Sequence, residues 1–192
     1  PYNVNILCHM PPTPDAAREA AWRAALAPYA RELGVDLAAV PAGAGRVPFS
    51  DEAAAVLEAF RPRVVSFHFG LPEPALLARV KSWGAKVLSS ATTVDEARWL
   101  EAHGADAVIA QGLEAGGHRG HFLSHELTLQ AGTLALLPQI VRAVKGQTEI
   151  WLDSGIRSGP DMLKAIAMGA DATMIGRAYI DGLGAMGENG VT

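Results

Sequence analysis

One cysteine, Cys8, stands in 192 residues. A single thiol excludes an internal disulfide and any cysteine-built zinc cluster, and it fits a reducing compartment. Basic residues are in the minority: 16 Lys and Arg against 20 Asp and Glu give a net charge of −4. The electrostatic footprint of a nucleic-acid binder is therefore missing. No apolar run approaches the ~20 residues of a membrane span, and no signal peptide is recognisable. A cytoplasmic protein without membrane or nucleic-acid partners is the expectation. The chain also lacks a first methionine and a lead-in. It opens at Pro1 directly into a strand, as expected of a fragment or a trimmed chain.

What is present reads as globular: 49% hydrophobic and 19% charged residues. The length allows one domain with a sizeable core, yet it falls short of the ~250 residues of a complete eight-fold barrel.

Short apolar runs alternate with helical stretches. Strands are expected at 3–8, 64–67, 86–88, 107–110, 149–152 and 172–175. Helices are expected at 15–33, 51–60, 73–83, 94–103, 133–144 and 160–168. Asp15 and Ser50 are placed to cap the first two, and Pro160 takes the favoured first position of the last. Pro138 inside 133–144 predicts a kink or a late start. Residues 41–48 read as a loop and 182–192 as a glycine-rich end. This alternation argues for βαβ units and a parallel sheet. The alternatives are a six-strand doubly wound sheet and a TIM (β/α)8-type barrel with six of its eight strands.

The chemistry gathers at strand ends. Strand 107–110 runs into Gln111-Gly-Leu-Glu-Ala-Gly-Gly-His-Arg-Gly120. Glycines 112, 116, 117 and 120 let this backbone turn and approach a ligand. His118 is the only imidazole in such a loop, with a pKa near ~6.5 that suits a base. Glu114 is placed either to orient it or to cap a helix. The last two strand ends carry Asp153-Ser-Gly-Ile-Arg-Ser-Gly159 and Gly176-Arg177, where phosphate-binding barrels hold their anion. Gly155 and Gly176 would admit phosphate to backbone N–H groups, and Arg177 could pair with it. Asp153 would repel phosphate, which leaves it a ribityl hydroxyl or a structural role. Asn5, His9, His68, Ser89, Ser90 and Gln111 complete the strand ends with neutral hydrogen-bonding groups, better suited to a flavin or sugar edge than to a metal. His118, His121 and His125 have helical spacing, but no acid pair completes a metal set, so no metal is expected.

These residues carry a resemblance. Asn-Val-Asn-Ile-Leu-Cys-His (3–9), Asp-Ala-Ala-Arg-Glu-Ala-Ala-Trp-Arg (15–23), Ser-Phe-His-Phe-Gly-Leu-Pro (66–72), Val-Leu-Ser-Ser-Ala-Thr-Thr-Val (87–94) and Ala-Gln-Gly-Leu-Glu-Ala-Gly-Gly-His-Arg-Gly (110–120) resemble the class I nitronate monooxygenases, once called 2-nitropropane dioxygenases. The likeness covers about three quarters of the chain, 1–145. Residues 149–191 instead resemble the FMN-dependent 2-hydroxy-acid oxidases and dehydrogenases, with a join near 145–149. Both families are FMN barrels.

The resemblance implies a single FMN-binding barrel domain over 1–192, lacking the first two strands and the last helix. It implies flavin contacts at Asn5, Gln111, Gly116, Gly117, Ser154 and Gly155. It implies phosphate contacts at Arg157, Met174, Ile175, Gly176 and Arg177, with Asp153 in the same loops. His118 matches the active-site histidine of the monooxygenases. The implied activity is oxidation of an alkyl nitronate with O2 to a carbonyl compound and nitrite. Oxidation of a 2-hydroxy acid is the alternative, although that family's His-Gly-Gly-Arg motif is absent. The other alternative is a non-catalytic fragment that binds a phosphate ligand or a partner chain. Open barrel edges would invite self-association.

Overall fold

In the computed structural model, which describes residues 2–41, 45–144 and 146–191, six strands form one sheet. They are β1 (Asn3–Leu7), β2 (Val64–His68), β3 (Lys86–Ala91), β4 (Ala107–Gln111), β5 (Glu149–Asp153) and β6 (Ala172–Thr173). Part of the 41–48 loop, Pro1 and the Lys145 end of the expected join lie outside the described residues. The strands stand in the order β1-β2-β3-β4-β5-β6, and every neighbouring pair is parallel. This order decides between the two architectures. A doubly wound sheet reverses its order partway and so places helices on both faces. Right-handed crossovers that advance in one direction keep their helices on one face, as in a barrel wall. Six strands do not close the wall: among the described residues β1 and β6 each pair with one strand only.

The helices are α1 (Ala16–Glu32), α2 (Asp51–Phe60), α3 (Pro74–Ser82), α4 (Val94–Ala102), α5 (Thr133–Val144), α6 (Gly159–Ala167) and α7 (Arg177–Met186). Ser50 and Thr93 cap α2 and α4 by accepting from Ala53 and Glu96 amides, and Pro74 and Pro160 sit in the first turns of α3 and α6. Residues 10–48 make a separate compact unit. In it Asp15 caps α1 by accepting from the Ala17 and Arg18 amides, and Arg23, paired with Glu19 within the helix, ties α1 to the carbonyl of Leu37.

Strand residues alternate between two faces. Val65, Phe67 and Val87 pack against Ala54 and Leu57 of α2 and Leu77 and Val80 of α3. Val108, Ala110, Ile150 and Leu152 pack against Leu100 of α4, Leu136, Leu137 and Ile140 of α5, and Ala165 of α6. Each large aliphatic side chain so buried contributes about 1.5–3 kcal/mol. The opposite face, the barrel interior, carries a smaller cluster of Leu88, Ala107 and Ile109 with Val64 and Trp151. Above it towards the strand C-termini that face turns polar, with Ser66, Ser90, Gln111 and Asp153.

Three expectations need correction. α5 starts at Thr133, which rules out the late start, and contains Pro138. The ring removes the bond to the carbonyl of Leu134, but Leu134 is exposed, so water can replace that partner. β6 ends at Thr173 rather than at 175, because a one-sided edge strand has no second ladder to hold it. The end of the chain is not all loop: α7 spans Arg177–Met186, with a 3-10 turn at Gly187–Gly190. Tyr179, Ile180, Leu183 and Met186 recur at helical spacing, and all four side chains are exposed.

Candidate active site

The polar end of the interior face opens into a cleft of about 550 Å³, within the range of about 300–1,000 Å³ typical of small-molecule and cofactor sites. It lies at the C-terminal ends of parallel strands, where barrels place their chemistry. The ends of β1, β4, β5 and β6 bring to it Asn5, Gln111, Gly116, Gly117, His118, Asp153, Ser154, Gly155, Arg157, Met174, Gly176 and Arg177. Twelve of the thirteen residues singled out from the sequence thus meet in one place. Ile175 does not line the cleft. It follows the end of β6 and is half exposed.

The loop after β4 is built as a scaffold. Gln111, buried at 6% exposure, accepts the Gly120 amide on Oε1 at 2.7 Å and donates from Nε2 to Asp153 Oδ2 at 3.1 Å. One amide side chain thereby joins the β4 loop to the end of β5. Arg119 turns back and donates to Gln130 Oε1 at 2.6 Å. Arg177 donates to the Glu114 carbonyl at 2.9 Å, which brings the start of α7 to the glycine loop. Gly120 is required by space: a Cβ there would stand 2.8 Å from His68 Cε1 and 2.9 Å from Ser90 Cβ.

Glu114 does not orient His118. Its carboxylate accepts the amide and the hydroxyl of Thr133, at 2.8 and 2.6 Å, at the start of α5. Burial works against its charged form, yet the Thr133 hydrogen bonds hold its pKa below the usual glutamate value. A depressed carboxylate stabilises the fold fully above its unfolded pKa of ~4.3, and that stabilisation is lost as pH falls through the lower folded value. The Thr133 amide resonance should therefore move in an acid titration with a midpoint below ~4.3. A midpoint at or above that value would refute the capping role.

Two groups have roles that the sequence did not show: His68 figured only among the neutral strand-end groups, and Glu96 not at all. His68 is a half-buried imidazole whose Nδ1 lies 3.1 Å from Ser90 Oγ and whose Nε2 lies 3.0 Å from the His118 carbonyl. Burial chiefly pushes its pKa below the ordinary value, with His118 and His121 acting in the same sense and the His118 carbonyl and Asp153 against it. Glu96, on α4, is 1% exposed. It accepts the Thr92 amide and hydroxyl and the amides of Phe122 and Leu123, so it anchors the far end of the glycine loop. A Glu at the third position of a helix fits a capping box by sequence alone, and nothing local signals the longer reach to Phe122 and Leu123.

Other groups are excluded from chemistry by their surroundings. Burial pushes the Cys8 thiol up to about 12, so no thiolate is available near neutrality. His121 and His125 face each other edge-on at 5.7 Å in irregular chain rather than on a helix. Among the described residues no three His, Cys, Asp or Glu side chains converge on a metal position, and no helix is long and apolar enough to cross a membrane.

A sequence model of the family described as nitronate monooxygenase matches residues 1–184. The match passes through the 145–149 join and takes in the loops after β5 and β6. The nitronate monooxygenase of Paraburkholderia phytofirmans is 39% identical over 184 residues, which are 94% of this chain and 49% of that protein. A nitroalkane oxidase from Streptomyces ansochromogenes has a similar structure, with a TM-score of 0.79 at 38% identity over 92% of this chain and 49% of that one. A mandelate oxidase mutant with a monooxide FMN adduct is also similar, with a TM-score of 0.55 at 27% identity over 73% of this chain and 48% of that one. The chain spans about half the length of the curated relatives it matches. From the strand order, the composition of the cleft and these likenesses together, the chain belongs to the nitronate monooxygenase family.

Proposed function

We propose that this chain carries the FMN-binding and catalytic loops of a nitronate monooxygenase, which oxidises alkyl nitronates with O2 to carbonyl compounds and nitrite. The observation that carries the reading is the convergence of His118 with the turns at Gly116, Gly155 and Gly176 in one cleft. The residues present fit a flavin phosphate. Ser154 and Gly155 turn with φ of 98° and 77°, and the Ser154 hydroxyl is buried without a hydrogen-bond partner among the described residues. A buried hydroxyl without a partner costs about 1–3 kcal/mol, and an anion at this turn would remove that cost. Open space lies beside Gly176, and Arg177 leaves most of its guanidinium donors free of the Glu114 carbonyl.

Ser154, Gly155, Arg157, Met174, Gly176 and Arg177 would hold the phosphate end. Asp153 would take a ribityl hydroxyl, while Asn5, Gln111, Gly116 and Gly117 would border the ring. FMN supplies the acceptor for an electron from the nitronate. His118 binds the anionic nitro group, or removes the α-proton where a neutral nitroalkane is the substrate. The open edges of β1 and β6 call for further strands, from a longer chain or another copy. We place this activity in the cytoplasm.

The test is a visible absorption spectrum of the protein mixed with FMN and freed of unbound flavin, followed by addition of an alkyl nitronate under air. Retained flavin bands and nitrite release are expected. A colourless protein would overturn the cofactor assignment for this chain. The likeness to mandelate oxidase favours one second reading, oxidation of a 2-hydroxy acid, which bleaching of bound flavin by lactate without oxygen would support. Bound flavin that neither substrate reduces would mark a non-catalytic fragment.

A further inference from the structure

We propose that His68 is the positioning residue for His118: its Nε2–H holds the His118 carbonyl, with its Nδ1 held by the Ser90 hydroxyl. The proposal rests on the role given to His118 above. A main-chain carbonyl only accepts, so the 3.0 Å contact requires the proton on Nε2. In the neutral ring Nδ1 then carries a lone pair, and Ser90 Oγ at 3.1 Å must donate to it. The acceptor-only His118 carbonyl therefore selects the tautomer of His68, on β2, and Ser90, on β3, completes it by donating to Nδ1.

This matters because His118 has no other polar restraint. Among the described residues no hydrogen bond reaches its imidazole, which is exposed and meets only ring edges: Phe69 at a centroid distance of 5.9 Å and His68 at 6.5 Å. Its direction follows from its backbone. Three contacts pin that backbone in succession: His68 on the carbonyl of residue 118, Gln130 on the side chain of Arg119, and Gln111 on the amide of Gly120. The His68 ring is itself wedged. Phe69 packs edge-on at 4.6 Å from a left-handed backbone with φ of 67°, and bare Gly120 closes the other side. Strained backbone of this kind persists where its surroundings over-determine it. A half-buried, wedged imidazole with both nitrogens matched is pre-organised, and misplacement of a reacting group by about 1 Å can cost about 100-fold in rate.

The test begins without flavin or substrate. Long-range proton–nitrogen correlation NMR of the labelled full chain at neutral pH should show His68 with a protonated Nε2 and an unprotonated Nδ1. The opposite tautomer, or a fully protonated ring, overturns the proposal. Ser90→Ala removes the donor to Nδ1 and should shift the His68 Nδ1 resonance while leaving the fold intact; an unchanged Nδ1 resonance overturns the proposal. His68→Phe, which keeps a ring but no donor, should shift the His118 imidazole resonances. In flavin-loaded protein it should lower nitronate kcat about 100-fold with little change in KM. His68→Gln, whose amide retains a donor, should restore part of that loss. His118 resonances and kcat that both ignore His68→Phe overturn the proposal. A protein that never turns over nitronate fails the functional reading alone, because the tautomer and the His118 resonances still decide the role of His68.

Discussion

His118→Ala is expected to lower nitronate turnover about 10²–10⁴-fold, the range for removal of a positioned acid–base group, while FMN stays bound. The imidazole lies at the cleft, outside the turns assigned to the phosphate. It is exposed and makes no hydrogen bond among the described residues, so its removal should change stability by no more than about 0.5 kcal/mol. Oxygen consumption with an alkyl nitronate measures the first quantity, the flavin spectrum the second and thermal unfolding the third. Full turnover in the variant would sink the role of His118. A loss of flavin together with turnover would move His118 from the reaction to cofactor binding.

A different kind of loss is expected at Glu96. Its carboxylate accepts from three backbone amides and one hydroxyl, in a place that is 1% exposed. Glu96→Ala leaves those donors unpaired and opens a cavity. Each unsatisfied buried donor costs about 1–3 kcal/mol, and relaxation with entry of water recovers part of the sum. We expect a net destabilisation of about 3–5 kcal/mol, as for removal of one member of a buried polar network. At about 2–4 °C per kcal/mol for a chain of this size, Tm should fall by roughly 10 °C. The loop 112–123 should lose hydrogen-exchange protection before the strands do, because Glu96 is its tether to α4. Glu96→Gln presents an amide N–H to donors that need an acceptor, so it should recover less than half of the loss. A Tm change below about 2 °C in Glu96→Ala would show that the loop is held by other means.

Local patterns were enough for much of this protein. The alternation of apolar runs with capped helical stretches placed six strands and six of seven helices within a few residues. Asp15, Ser50 and Pro160 act as helix starts because capping is decided by neighbours in the chain. The glycine turns at strand ends, and the His118 and Arg177 they carry, were visible because strand ends in a βα repeat fall on one rim. The family likeness was legible in runs such as residues 66–72 and 110–120.

What local pattern could not show was which strand lies beside which. Doubly wound and barrel orders share the same βα period, and only the ladder pairings β1 through β6 separate them. The partners of Glu114, Glu96 and His68 lie 19, 26 and 50 residues away along the chain. Their roles as helix cap, loop tether and main-chain donor arise only when folding brings those segments together. The sequence by itself determined most of the secondary structure, the cleft-forming turns and the family, all carried by short-range sterics and motifs. The tertiary structure alone decided the barrel order and the polar network beneath the glycine loop, because hydrogen bonds between distant segments leave no local periodicity to read.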